Sequence, residues 1–152
     1  MISTLYTHSN TPMGRVIRLT TWHTKSHCAI TDHNFVWEAK GLVGVNKTPY
    51  DEWMTDHKHD DVVEIPIKIN YEAEMLAWLD RVNGAGYDYL ELVGHVLHLN
   101  LGRRDRYTCS SLVMEAINRG KKFLAHDKYY RIQPRHVYIA CYAHAAALGL
   151  LK

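Results

Sequence analysis

The feature that most constrains this chain is a change of hydrophobic period part-way along it. Through residue 69 the apolar residues alternate with polar ones or come in short runs, as in strands; from Tyr71 onward they recur every three or four positions, as in amphipathic helices. A chain patterned this way is expected to fold as α+β, with strands mainly in the first half and helices mainly in the second. Arg15–Trp22, Ser26–Thr31 and Asn34–Ala39 are predicted strands, the last two joined by a tight turn at Asp32-His33-Asn34. Val62–Ile69 alternates as another. Pro66 marks it as an edge strand, because proline has no N–H to give to a ladder. Lys47–Asp61 is polar, is interrupted by Pro49, and reads as a loop.

In the second half, Met75, Leu76, Leu79 and Val82 share one face of a predicted helix over Tyr71–Val82 that stops at Asn83-Gly84. Tyr89–His98 is a second helical stretch, a third runs from the Cys109 region to Gly120, and Gln133-Pro134 opens a last one. Lys121–Arg131 reads as irregular or short-stranded. With no repeat, linker or low-complexity block, residues 1–152 are expected to form one domain.

At 152 residues and 47% hydrophobic, the chain can build a core without disulfide staples. Eighteen basic and 16 acidic side chains leave a net charge of +2, which gives no strong electrostatic case for nucleic acid or a membrane surface as partner. The tight basic cluster Arg103, Arg104 and Arg106 is either a solvated loop or a seat for an anionic substrate group. Cys28, Cys109 and Cys141 cannot all pair and show no CxxC spacing, which argues against a disulfide framework or a structural zinc site and fits a reducing compartment. Neither a signal-peptide core nor a run of about 18 apolar residues is present. The expected setting is therefore cytoplasmic or virion-associated, with no membrane span, no signal peptide and no cofactor called for by any motif.

Tyr107-Thr108-Cys109-Ser110-Ser111-Leu112-Val113 places one cysteine where a polar loop becomes an amphipathic helix. With Thr108 as N-cap, Cys109 falls in the first turn, where unpaired backbone N–H groups and the helix dipole favour the thiolate, the reactive form. The alternative is a small buried cysteine that only fills space. A thiol hydrolase also needs a base and a group to orient it. Ser26-His27-Cys28-Ala29-Ile30 puts His27 on one predicted strand, and Val36-Trp37-Glu38-Ala39 puts a carboxylate on the next. Across antiparallel neighbours Glu38 can accept from one imidazole nitrogen while the other faces Cys109. The competing readings are a core histidine and a solvent-facing Glu38. Cys28 alternates to the face opposite His27 and reads as core.

The order Ile17-Arg18, Ser26-His27-x-x-Ile30, Val36-Trp37-Glu38-Ala39, Gly44-Val45, Tyr87-Asp88-Tyr89 and Tyr107-x-Cys109-Ser110, with the Pro134 segment near the end, resembles the circularly permuted branch of the NlpC/P60 papain-like superfamily, in its YiiX-like members. The resemblance covers about residues 14 to 140 and rests on motif order, the histidine strand first and the cysteine helix last. It implies a small antiparallel sheet or partial barrel packed against the cysteine helix, with Cys109 as nucleophile, His27 as general base and acid, and Glu38 orienting His27. It also places Tyr87-Asp88-Tyr89 near the cleft, with Tyr89 as a substrate contact; from the residues alone, Asp88 reads as a helix cap. Tyr107 is expected to line the pocket or donate to a substrate carbonyl.

The expected function is a cysteine amidase or peptidase, or an acyltransferase, acting through a covalent acyl-enzyme on a peptide or acyl-amide substrate, cell-wall-type peptides first. Two alternatives stand beside it. One is a non-catalytic binding or virion structural protein on the same scaffold. The other is a metal-dependent hydrolase built on His57-Lys58-His59-Asp60-Asp61, a run that otherwise reads as a solvated loop. His95 and His98 are predicted to share a helix face, in packing or surface roles. Oligomeric state is not legible from the chain.

Overall fold

The sheet begins with a strand that the hydrophobic pattern hides. In the computed structural model, which describes residues 1–8, 26–97, 99–103, 105–120 and 132–151 less the side chains of 95 and 96, β1 is Ile2–Thr7 and every residue of it is buried. Ile2 and Tyr6 face one side and Leu5 the other, while Ser3, Thr4 and Thr7 fill the places between. Hydroxyls on both faces blur the alternation a sequence reader looks for. The predicted strand Arg15–Trp22 and the Lys121–Arg131 segment lie outside the described residues, as do Arg104 and His98.

β2 (His27–Thr31) and β3 (Phe35–Lys40) flank the Asp32-His33-Asn34 turn as expected, followed by β4 (Gly44–Pro49) and β5 (Val63–Ile67). Asp32 Oδ1 accepts the N–H groups of Asn34 and Phe35 at 2.9 and 2.8 Å, and His33 takes the left-handed conformation the turn requires. The five strands pair antiparallel in the order β4-β3-β2-β1-β5. Pro66 therefore sits on an edge strand, opposite Ser3.

The β2–β3 ladder is short. It bridges only Ile30 to Trp37 and Thr31 to Val36, whereas β1–β2 pairing continues to Thr7 opposite His27 and β3–β4 pairing to Lys40 opposite Gly44. The sheet thus parts between β2 and β3 toward its His27 end.

The segment 47–61 is not the loop expected. Pro49 caps a short helix, α1 (Tyr50–Asp56), with Asp51 and Glu52 in its first turn, where they complement the dipole. Trp53 is the reason it forms: flanked by Tyr50 and Met54 in an otherwise polar run, it is buried against Leu5, Ala29 and Val36 on one face of the sheet. The opposite face carries the larger core, built from Ile2, Tyr6, Cys28, Ile30 and Trp37 and covered by helices α2 (Glu72–Val82), α4 (Cys109–Gly120) and α5 (Pro134–Ala147).

Helix α2 buries Met75, Trp78 and Leu79, and Gly84 turns the chain at φ +88° beyond it. Helix α3 (Tyr89–Leu97) is opened by Asp88, whose Oδ1 accepts the Glu91 N–H at 2.9 Å. A two-residue parallel ladder, β6 (Gly86–Tyr87) with β7 (Arg106–Tyr107), brings the approach to α4 alongside the approach to α3. Helix α4 packs across β2, β3, α2 and α5 and buries Leu112, Val113, Ala116 and Ile117, each larger side chain contributing roughly 1.5–3 kcal/mol. Among the described residues no helix is long and apolar enough to cross a membrane.

Candidate active site

The start of α4 is held by its own side chains. Thr108 Oγ1 accepts the Ser111 N–H at 3.2 Å and Ser111 Oγ accepts the Thr108 N–H at 2.9 Å, a reciprocal capping box with serine in place of the usual Glu or Gln. The first helical hydrogen bond runs from Leu112 N–H to Thr108 O at 3.0 Å, so Cys109 is the first helical residue. The Thr108 hydroxyl also donates to Glu91 Oε1 on α3 at 3.1 Å, and the Ser110 hydroxyl donates to Ile132 O at 2.8 Å. These tethers hold Cys109 in place. Its side chain is nearly covered, at 4% exposed.

His27 opens β2. Extending the Ile30–Trp37 register places Ala29 opposite Glu38, so His27 and Glu38 are diagonal neighbours on one face. Their side chains meet: His27 Nε2 donates to Glu38 Oε2 at 2.7 Å. Glu38 is fully buried, and its other oxygen, Oε1, lies 2.7 Å from Lys40 Nζ. The His27 ring also lies beside Cys109, close enough for each to shift the other's charge. With Nε2 committed to Glu38, Nδ1 is the nitrogen left for the sulfur. Cys109, His27 and Glu38, from three separate elements, therefore form one line.

The charges follow from this arrangement. Burial alone would push the His27 imidazolium down, but hydrogen bonds to Cys109 and Glu38 and the negative charge of both outweigh it and raise the pKa to about 10. Glu38 is raised by burial and lowered more strongly by His27 and Lys40, ending at about 2. The Cys109 thiol is held well below its ordinary range, first by a hydrogen bond from the Cys28 side chain and then, against the cost of burial, by His27. Near neutral pH the group is a thiolate, an imidazolium and a carboxylate in series.

Cys28 is where alternation along the strand was an incomplete guide. It is in the core, as expected, with no exposed surface, yet it shares that core with Cys109 and is near enough to influence its charge. Lys40 and Glu91 were not singled out by sequence, whereas the resemblance sets the Tyr87-Asp88-Tyr89 segment near the cleft. Tyr87 is buried beside the thiol, its phenol pKa raised by burial and then by the Cys109 charge. An unpatterned lysine two residues beyond Glu38 was the one signal available, since i and i+2 share a strand face.

The two expected substrate contacts are placed differently. The Tyr89 hydroxyl accepts the Leu42 N–H at 2.6 Å, and its ring lies 5.0 Å from that of Tyr87, so it ties the β3–β4 turn to the site's rim. The Tyr107 ring packs edge-on against Trp78 of α2 at 5.7 Å, and its charged neighbours are Glu115, Arg119 and Asp105. In the basic cluster, the Arg103 N–H donates to Asp88 Oδ2 at 2.5 Å while its side chain is largely exposed. His57, from the run considered for metal, stacks on Trp53 at 3.9 Å and sets Nδ1 2.8 Å from Trp53 O. Among the described residues no three His, Cys, Asp or Glu side chains converge as a metal-binding group.

No family model and no curated protein matches the sequence. A solved structure does match: the metalloprotein YiiX from Escherichia coli O157:H7 superposes with a TM-score of 0.62 at 18% identity, over 80% of this chain and 66% of that one. The chain has the fold of YiiX. It spans just under two thirds of that protein's length. The architecture anticipated from the sequence, α+β with an antiparallel sheet against the cysteine helix, is the architecture observed, and the YiiX likeness fits a papain-like fold. At this identity the likeness to YiiX concerns the fold alone.

Proposed function

We propose that the protein is a cysteine-dependent hydrolase or acyltransferase of the NlpC/P60 type, with Cys109 as nucleophile, His27 as its proton partner and Glu38 as the group that orients His27. One observation carries the reading: the His27 ring reaches Cys109 on one side while its Nε2 lies 2.7 Å from a buried carboxylate on the other. A thiolate at a helix start next to an imidazolium is an activated nucleophile.

In this reading the Cys109 sulfur attacks the carbonyl carbon of an amide, ester or thioester. The carbonyl π pair moves to oxygen, and the backbone N–H of Cys109, which has no partner within its own helix, is aimed at the developing oxyanion. On collapse the C–N, C–O or C–S bond breaks, and His27 protonates the departing group. Neutral His27 then takes a proton from water, or from an acceptor amine, as it attacks the acyl-enzyme; the C–S bond to Cys109 breaks, and the thiolate and imidazolium are restored. Glu38, fixed by Lys40, keeps the ring oriented through both half-reactions. Peptide amides of the cell-wall type are the preferred substrates, and Tyr89, exposed over the buried Tyr87, stands at the rim where such a chain would lie.

The test is acyl transfer to Cys109. Incubation with activated esters, thioesters and peptide amides should give a mass adduct on Cys109 and multiple turnovers, both abolished in Cys109→Ala and slowed at least ~100-fold in His27→Ala. Adducts distributed over Cys28 and Cys141, or turnover that survives Cys109→Ala, would end this assignment.

A further inference from the structure

We propose that α3 and the β3–β4 turn form a docking surface for an anionic lipid bilayer, set at the rim of the candidate active site. The proposal does not depend on the chemistry assigned to Cys109.

Helix α3 is patterned inside out. A helix lying on a core ordinarily turns its apolar stripe inward. Here Leu90, Val93 and Leu97 share one face at helical spacing and are each about half exposed, whereas Glu91 and Gly94 are buried. Glu91 is turned inward by the Thr108 hydroxyl, which donates to its Oε1 at 3.1 Å, and Gly94 is covered by the returning chain, whose Leu99 N–H donates to Gly94 O at 3.0 Å. That packing leaves the apolar stripe facing outward. Leu99 and Leu101, on the segment that runs back along α3, are exposed beside it.

The β3–β4 turn adds a second element. Leu42 is 97% exposed and takes the left-handed conformation at φ +70°, which glycine or asparagine would adopt with less strain. Val43 beside it is exposed as well. The turn is anchored at both sides: the Leu42 N–H donates to the hydroxyl of Tyr89, the first residue of α3, at 2.6 Å, and Lys40 reaches Glu38 Oε1 at 2.7 Å. Two apolar projections are thus held together next to the pair formed by His27 and Glu38.

Shape and charge choose the occupant. Leu42, with nearly all of its surface bare, has no walls around it to seat a peptide, whereas a protruding leucine can enter a layer of lipid chains. The chain then continues as Arg103-Arg104-Asp105-Arg106, a local basic excess that the net charge of +2 conceals. Arg103 and Arg106 are exposed; the Arg103 main chain is tied to Asp88 at the start of α3, and the Arg106 side chain lies over Gly86 on β6. Asp88 and Glu91, the acidic residues of α3 and its cap, are buried. Exposed leucines flanked by arginines match the pattern of a helix lying in a bilayer interface, its cations among anionic headgroups.

Cosedimentation with phosphatidylcholine vesicles, pure or carrying about 30% phosphatidylserine, tests the proposal. Wild type should bind the anionic vesicles, and less at high salt. Leu42→Asn, which suits the left-handed position, should weaken binding about tenfold, as should the pair Leu90→Gln and Leu97→Gln. Arg103→Gln and Arg106→Gln should each weaken it about fivefold on anionic vesicles and leave binding to neutral ones unchanged. Ile139→Gln, at an exposed apolar position on α5, and Cys109→Ala should both bind as wild type, so docking and turnover can be lost separately. Absence of wild-type binding, or binding that neither Leu42→Asn nor the α3 pair reduces, overturns the proposal. A wild-type dimer in sedimentation velocity that the α3 pair converts to monomer would overturn it too, since a second copy would then cover the stripe.

Discussion

His27 Nε2 and Glu38 Oε2 lie 2.7 Å apart across two strands whose ladder has already ended, so the side chains, not the backbone, join β2 to β3 at the site. This pair lets a histidine at the frayed end of a strand present a defined ring nitrogen to Cys109. It also sets the electrostatics. A carboxylate with a pKa of about 2 behind an imidazolium of about 10 is a fixed negative charge throughout the range in which enzymes work.

The first prediction concerns the pH window of the thiolate. Alkylation should rise as Cys109 ionises, with a midpoint well below that of an ordinary thiol, and remain flat through neutrality, whereas acyl turnover, which also needs the His27 proton, should fall as that proton is lost near pH 10. Alkylation rates of Cys109 between pH 4 and 11, with free cysteine as reference, measure it. A simple rise toward an ordinary thiol midpoint would show that the ion pair is absent.

Removing the charge behind the ring should pull the alkaline limb inward. In Glu38→Gln the amide oxygen still accepts from His27, but the charge that raises its pKa is lost, so the fall should begin below pH 10 and the rate should drop by about tenfold or more. Steady-state rates against pH with an activated ester check both effects.

Stability should depend on the same carboxylate in acid. Its folded pKa of about 2 lies below the unfolded value, so its contribution, on the order of 3 kcal/mol, is present above pH 4.5 and lost as pH falls toward 2. His27 works in the opposite direction: its folded pKa is raised, so its contribution is complete below pH 6.5 and fades as pH rises through about 10. Denaturant titrations across pH should show wild type losing more than Glu38→Gln between pH 5 and 2.

Thr108→Ala removes the cap of the nucleophile helix and the hydroxyl that reaches Glu91. The expected cost is about 1–2 kcal/mol, with a fall in Tm of a few degrees. Because the first turn carries Cys109, its alkylation midpoint should move upward too. Thr108→Ser, which keeps both hydrogen bonds, should restore both quantities.

Two glycines with the same backbone conformation should respond differently to alanine. At Gly44, φ +89°, a Cβ would lie 2.2 Å from Ala85 O; at Gly84, φ +88°, nothing lies within 4 Å. Gly84→Ala should cost only the left-handed penalty of about 1–2 kcal/mol. Gly44→Ala should cost clearly more, since backbone must also move. Equal losses in thermal or chemical unfolding would contradict this account.

Local physics wrote much of this protein into its sequence. Hydrophobic period specified the β2–β3 hairpin, the strand with Pro66 at the edge, the helix ending at Asn83-Gly84 and the cysteine helix behind Thr108, because each element's periodicity and caps lie within a few residues of one another. Cys109, His27 and Glu38 were legible as a candidate site for the same reason: a helix start and two neighbouring strands are local facts. Elements whose formation depends on distant partners stayed hidden. β1 mixes hydroxyls with apolar side chains and needs β2 and β5 on either side of it, and α1 exists because one tryptophan finds a pocket made by Leu5, Ala29 and Val36. Only the tertiary structure decided that the Tyr107 ring packs on Trp78 and that the sheet parts between β2 and β3 toward its His27 end. Alternation along a strand assigns a side chain to a face, but where the ladder ends and a helix closes in beside it, long-range packing decides what that side chain touches.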